Sequence, residues 1–252
     1  MTFEQTPPWP AAPAVFLDLD GTLLEIAETP DAATASHALR RVLSRLPGAT
    51  GNALAIVSGR TVEDVDRVLA PHRLAVAGIH GLQRRRADGR MNSTPWPGEW
   101  IDDVCQQLRR FARAHPGLIV EHKRASLALH YRRRPDLEQR IEALVDSLVL
   151  PAGVEPLRGR KVVELKPHHA DKGKAIRAYM SEAPFAGRTP VFAGDDVTDE
   201  AGFRVVNAMG GVSVKVGAGP TAAAWTLPGV ADVLVWLNDA AASAPAPAHA
   251  DE

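Results

Sequence analysis

The sequence predicts an α/β protein, a doubly wound, Rossmann-like parallel sheet into which a smaller α+β domain is inserted. Three observations lead there. Short β-rich runs alternate with helical stripes toward both ends of the chain, which is the pattern of parallel strands joined by crossover helices. Those runs are apolar on both faces, as strands between two helix layers must be. In the middle, strand-like runs follow one another within a few residues, too close for a crossover, so they must pair antiparallel.

Residues 1–13 carry four prolines and are expected to be disordered. The run "AVFLD" (14–18) opens the core domain, predicted over 14–81 and 168–241. Leu39, Val42, Leu43 and Leu46 then form a helical stripe. "ALAIVSG" (53–59) is the next strand, Val62, Val65, Val68 and Leu69 the next helix, and "LAVAGIHG" (74–81) the third strand. The inserted domain is placed at 82–167. It begins with a polar arm, followed by a helix (Ile101, Val104, Leu108, Phe111), the strands "LIVEHK" and "SLALHYR", a second helix (Leu137, Ile141, Leu144, Leu148) and the strand pair in "VEPLRGRKVVELKP". "PVFAGDD" (190–196) and "GVSVKVG" (211–217) return to the core, and the tail 242–252 has too few large apolar groups to order. A domain boundary of this kind makes a cleft, and ligands lie beyond the carboxyl ends of parallel strands.

Composition narrows the classes. With 252 residues, 45% of them hydrophobic, and a formal net charge of −1, the chain reads as globular, without the electrostatic excess of a nucleic-acid binder. Residues 82–134 hold 12 Lys+Arg against 5 Asp+Glu, but without interleaved aromatics this basic density reads as solvated surface rather than an RNA site. No apolar run has the roughly 20 residues of a membrane helix, so a cytoplasmic protein is expected. The single cysteine, Cys105, excludes an internal disulfide and a cysteine-cluster zinc site, and is assigned to packing.

Chemistry concentrates at strand ends. Asp18 and Asp20 in "DLDGT" are two apart on an extended segment, so both side chains can face one point. "VFAGDDVTDE" repeats the arrangement with Asp195 and Asp196, while Asp199 and Glu200 have the ordinary reading of acids at a helix start. If the two strands are neighbours, their carboxylates meet, and a hard divalent cation with oxygen ligands, Mg²⁺ above all, offsets the repulsion. In "AIVSGRT" a strand ends at Ser58-Gly59 and a helix begins near Thr61, which directs a hydroxyl and backbone N–H groups at an anion. Lys172 opens a helix, where its charge opposes the dipole and a bound anion would account for it.

In the order "DLDGT", "SGR", "DKG", "GDDVTDE", these pieces resemble the haloacid-dehalogenase-like phosphatases, and the resemblance spans the ordered chain. It implies that Asp18 is a nucleophile forming an aspartyl-phosphate and that Asp20 protonates the leaving oxygen and later activates water, for which its pKa should exceed that of Asp18. It further implies that Asp18, the Asp20 carbonyl and Asp195 hold Mg²⁺ with Asp196 nearby, and that Ser58, Gly59 and Lys172 bind the phosphoryl group. "AGIHG", "VEHKRASLALHYR" and "GRKVVELKP" are similar to the trehalose-6-phosphate phosphatase branch, which implies an inserted cap whose Glu121, Lys123 and Glu164 reach glucose hydroxyls. The substrate expected from that likeness is a phosphorylated disaccharide, trehalose 6-phosphate, taken by a monomer with a functional link to a trehalose-6-phosphate synthase. Another sugar phosphate, such as sucrose 6-phosphate or a glycosyl phosphoglycerate, and a catalytically silent sugar-phosphate sensor are the alternatives. Gln83 departs from the glutamate often found after "HG", and His80 is open between a hinge role and a buried, hydrogen-bonded histidine.

Overall fold

The computed structural model describes residues 6–93, 99–123 and 125–243. Eight of the described strands form one sheet in the order β12-β11-β10-β1-β2-β3-β4-β5. They are β1 (Pro13–Leu17), β2 (Leu54–Val57), β3 (Ala75–Gly78), β4 (Gln83–Arg85), β5 (Met91–Ser93), β10 (Thr189–Gly194), β11 (Val212–Val216) and β12 (Trp225–Leu227). From β12 to β3 the pairing is parallel, and β4 turns back antiparallel on β3. The strands β6 (Ile119–Lys123), β7 (Ser126–His130), β8 (Val154–Gly159) and β9 (Val162–Pro167) make a second, antiparallel sheet in the order β6-β7-β9-β8.

Alternation along β1 divides the large sheet's two apolar layers. Val15 and Leu17 join α1 (His37–Ala49), α2 (Val62–Leu69) and α7 (Val230–Ser243) in one core. Ala14 and Phe16 face the other, built on Ile176 and Tyr179 of α5 (Lys172–Met180) and Phe203 of α6 (Glu200–Ala208). Both layers exclude water, so the strands read as unbroken apolar runs. Because the chain winds outward from β1 through β2 to β3, and outward again from β10 through β11 to β12, the strand order reverses between β1 and β10. Asp18 and Asp195 follow those two strands, at the crevice where such sheets bind ligands.

The chain divides into two compact units, residues 1–92 with 171–252, and residues 93–170. The second has a core of its own, in which Ile101, Val104 and Leu108 of α3 (Glu99–Ala114) and Ile141 and Val145 of α4 (Glu138–Ser147) pack on Leu127, Leu129, Val163 and Leu165. Cys105 is buried there as packing. The division falls beyond the boundaries expected at 82 and 167: the polar arm pairs with β3 and extends the large sheet, a pairing that leaves no periodic signature.

Disorder expected over residues 1–13 does not reach residues 6–13. The Trp9 ring meets Trp236 of α7 edge-on with centroids 5.4 Å apart, and the Trp236 indole donates to the Pro7 carbonyl at 3.0 Å. One large aromatic, partly buried against the core, adds its burial to that of Pro7 and Pro13. At the other end α7 runs through Ser243, so residues 242 and 243 of the expected tail are helical, and 244–252 lie outside the described residues. Deleting residues 1–9 is expected to lower stability by about 1–3 kcal/mol, read as a fall in Tm, since Trp236 loses both contacts.

Candidate active site

The centre of the large unit's site is one buried lysine between two aspartates. Lys172 Nζ, 3% exposed, donates at 2.7 Å to Asp18 Oδ1 and at 2.7 Å to Asp199 Oδ1. Asp199, with no exposure at all, uses Oδ2 to accept the backbone N–H groups of Asp195 and Asp196, both at 3.0 Å. Asp199 therefore fixes the loop after β10 while holding Lys172. The lysine's place in the first turn of α5, which costs energy against the dipole, is answered by these two carboxylates, and Asp171 caps the helix by accepting from Lys174 N.

Asp18, Asp195 and Asp199 each bring a carboxylate oxygen to within 4.8 Å of the others. Against these three carboxyl groups stand the Lys172 ammonium in their midst and Lys215 beside Asp195. Burial pushes the Asp18 carboxyl well above the ordinary carboxylate range, Asp199 and Asp195 add to it, and Lys172 only partly offsets them. Asp195 is pushed up to about 7, chiefly by burial and then by Asp199. Burial works against the Lys172 charge, but the two carboxylates outweigh it and hold the ammonium above its ordinary value. Asp195 Oδ1 is buried without a hydrogen-bond partner among the described residues. A surplus of carboxylate charge and an orphaned buried oxygen fit a hard divalent cation. Gly21 belongs to the same design: its φ of +85° and an added Cβ's 2.1 Å approach to Asp195 Oδ2 leave room for glycine alone.

Asp196 is not in that group. Its Oδ1 accepts Val197 N at 2.7 Å, capping the short helix Val197–Asp199, and the membership expected of it goes to Asp199. In sequence Asp199 reads as a dipole acid, and its spacing of four from Asp195 within "DDVTDE" is the signal that places it with the cluster. Lys215, buried at the end of β11, donates to the Asp195 carbonyl and had no sequence signal beyond a lysine in an apolar strand.

Asp20 sits elsewhere in the crevice, held in a two-point ion pair by Arg60, Nε to Oδ2 at 2.6 Å and Nη2 to Oδ1 at 2.7 Å. Arg60 follows Ser58-Gly59 directly, and Ser58 Oγ accepts Arg60 N at 3.2 Å. The turn after β3 supports this loop: Ile79 N donates to the Arg60 carbonyl at 2.8 Å, His80 N to the Ser58 carbonyl at 3.0 Å, and the His80 ring lies where a Cβ on Gly59 would be. Ile79 and His80 adopt φ of 48° and 52°, a left-handed backbone that a β-branched residue accepts only when its surroundings impose it.

The helix start beyond Ser58 is not an open anion site. Thr61 Oγ1 accepts Asp64 N and donates to Asp64 Oδ2, while Val62 N donates to Gln83 Oε1 at 3.2 Å. Gln83 thus caps α2 by a neutral amide oxygen.

In the second unit the three candidate sugar residues converge on one face of the small sheet. Glu121 pairs with Ala128 and Ala128 with Glu164, a row across three strands. Lys123 Nζ lies 3.3 Å from Glu164 Oε2 and 3.8 Å from Glu121 Oε2. Burial would raise the Glu121 carboxyl, but the hydrogen bond from His130 and the charge of Lys123 outweigh it and hold it below its ordinary value.

The trehalose-phosphatase family model matches residues 16–230, which takes in the whole of the second unit, most of the first, and Asp18, Asp20, Ser58, Lys172, Asp195 and Asp199. The chain belongs to the trehalose-phosphatase family. The family is one of phosphoric monoester hydrolases. The chain is 43% identical over 235 residues to trehalose-6-phosphate phosphatase of Escherichia coli K12, covering 93% of this chain and 88% of that one. It is 40% identical over 206 residues to a probable trehalose-phosphate phosphatase of Sinorhizobium fredii, 81% and 77% of the two chains. A trehalose-6-phosphate phosphatase structure from Aspergillus fumigatus superposes with a TM-score of 0.60 at 27% identity over 93% of this chain and 94% of that one. The C-terminal domain of Candida albicans trehalose-6-phosphate phosphatase superposes with a TM-score of 0.82 over 92% and 93%; at 23% identity it establishes the fold of this trehalose-phosphatase family member.

Proposed function

We propose that this chain hydrolyses trehalose 6-phosphate to trehalose and phosphate through an aspartyl-phosphate on Asp18, with Mg²⁺ required. The observation that carries the reading is the Lys172 ammonium hydrogen-bonded to Asp18 beside Asp195 and Asp199 at the sheet's reversal point. An Asp18 carboxylate oxygen attacks phosphorus as the bond to the sugar oxygen breaks, and Asp20 delivers a proton to that oxygen. Asp20 then takes a proton from the water that cleaves the acyl phosphate and restores Asp18. Lys172 neutralises the approach of one anion to another, and Ser58 with the Gly59 N–H receives phosphoryl oxygens. Asp18, the Asp20 carbonyl and Asp195 would hold Mg²⁺, which supplies further charge neutralisation when bound. Asp196 stands beside that set, its Oδ1 accepting the Val197 N–H.

The charged face carrying Glu121, Lys123 and Glu164 supplies the sugar contacts, because charge-assisted hydrogen bonds to hydroxyls are stronger than neutral ones. The intact Asp18, Asp20, Lys172 and Asp195 favour catalysis over a silent sensor. We place the activity in the cytoplasm, in a monomer that draws its substrate from a trehalose-6-phosphate synthase.

Phosphate release from trehalose 6-phosphate, sucrose 6-phosphate, glucose 6-phosphate and a glycosyl phosphoglycerate, each with Mg²⁺ and with EDTA, tests the reading. Metal-dependent turnover confined to trehalose 6-phosphate is expected. Preference for another member would overturn the substrate assignment and leave the mechanism, EDTA-insensitive turnover would remove the metal, and binding without turnover would establish the sensor.

A further inference from the structure

One strand of the small sheet supports the sugar-facing carboxylates from behind. Ser126, Ala128 and His130 alternate along β7, so all three share the face that carries Glu121 and Glu164. Ser126 Oγ, fully buried, donates to Glu164 Oε1 at 2.7 Å, and His130 Nε2 lies 2.8 Å from Glu121 Oε2. Between them lies Ala128, which pairs with both glutamates and is itself fully buried. Because an ionised carboxylate only accepts, the His130 contact requires Nε2 to carry the proton. Lys123 approaches the same Oε2 of Glu121, at 3.8 Å.

Neither Ser126 nor His130 is among the residues assigned to the sugar. A glutamate on a sheet face has three rotatable bonds, and one held in place before the ligand arrives does not lose that freedom on binding. We propose that His130 and Ser126 are positioning residues that fix the Glu121 and Glu164 carboxylates for sugar hydroxyls, and so set affinity for the disaccharide without acting on phosphorus. The inference rests on the proposed function, whose sugar residues these are.

The test compares the full-length protein with His130→Leu, His130→Gln and Ser126→Ala, measuring kcat and KM for trehalose 6-phosphate and inhibition by the two products, trehalose and inorganic phosphate. His130→Leu is expected to raise KM for trehalose 6-phosphate and the trehalose inhibition constant together, by about three- to tenfold, as one immobilised side chain is released. The kcat value and the inorganic phosphate constant should move less than twofold. His130→Gln, whose amide N–H can replace the imidazole donor, should recover most of the loss, and Ser126→Ala should repeat the split with a change of one oxygen. Equal weakening of trehalose and inorganic phosphate, or no recovery with Gln, would overturn the inference by making the role one of general folding. An unchanged KM in both His130→Leu and Ser126→Ala would overturn it as well. If the unsubstituted protein does not turn over trehalose 6-phosphate, the proposed function itself falls, a separate result visible before any variant is made.

Discussion

Asp18→Asn is expected to abolish phosphate release, by about 10⁴-fold or more, while the metal-free protein melts at the same temperature or higher. The activity loss follows from removing the attacking oxygen's charge. The stability result has the opposite sense because Asp18 is one of three carboxylates around a single ammonium, and burial already disfavours its charged form. An amide of nearly the same shape keeps one oxygen for Lys172, turns an N–H toward the Thr22 hydroxyl, whose oxygen can accept it, and relieves the repulsion from Asp195 and Asp199. Phosphate release and a melting curve with and without Mg²⁺ check both halves, and substantial residual turnover would remove Asp18 as nucleophile.

Lys172→Met takes away the other half of the same pair and should act on both activity and stability. Turnover is expected to fall by about 10³-fold as the transferring phosphoryl loses its cation. Folding stability should fall as well, by about 3–5 kcal/mol, the usual cost of leaving buried charge uncompensated. Among the described residues, Asp199 would retain its backbone donors and Asp18 the Thr22 hydroxyl, at 3.4 Å. Added Mg²⁺ should restore part of the stability but little of the turnover. A Lys172→Met protein as stable as the unsubstituted one without metal would show that Asp18 and Asp199 are not the charges this lysine compensates.

What the sequence made legible was whatever repeats with a period or sits at a strand end. The strands, the helical stripes and the positions of Asp18, Asp195 and Lys172 all come from local pattern, and the family likeness adds roles to them. What stayed hidden depends on contacts far apart in the chain. Asp199 looked like a dipole acid because nothing local reveals that Lys172, 27 residues earlier, lies against it. Gln83 and Arg60 were equally opaque: the first caps a helix from the neighbouring strand, and the second reaches an aspartate 40 residues away. The ordering of residues 6–13 was missed for a related reason. Low apolar content predicts disorder only when no single large ring finds a groove, and Trp9 finds one on α7.

The chain leaves the large unit once, after residue 92, and returns once, before residue 171. Everything between has its own core, and the row from Glu121 through Ala128 to Glu164, with Ser126 and His130 behind it, lies wholly inside that excursion. Asp18, Lys172 and the acidic loop lie wholly outside it. Under the proposed function, substrate preference is thus written on one contiguous length of gene and the bond-breaking chemistry on the two lengths that flank it. Recombination at two crossover points could trade one preference for another while Asp18 and Lys172 stay where they are, and an ancestral phosphatase could diversify its menu of sugars without redesigning its reaction.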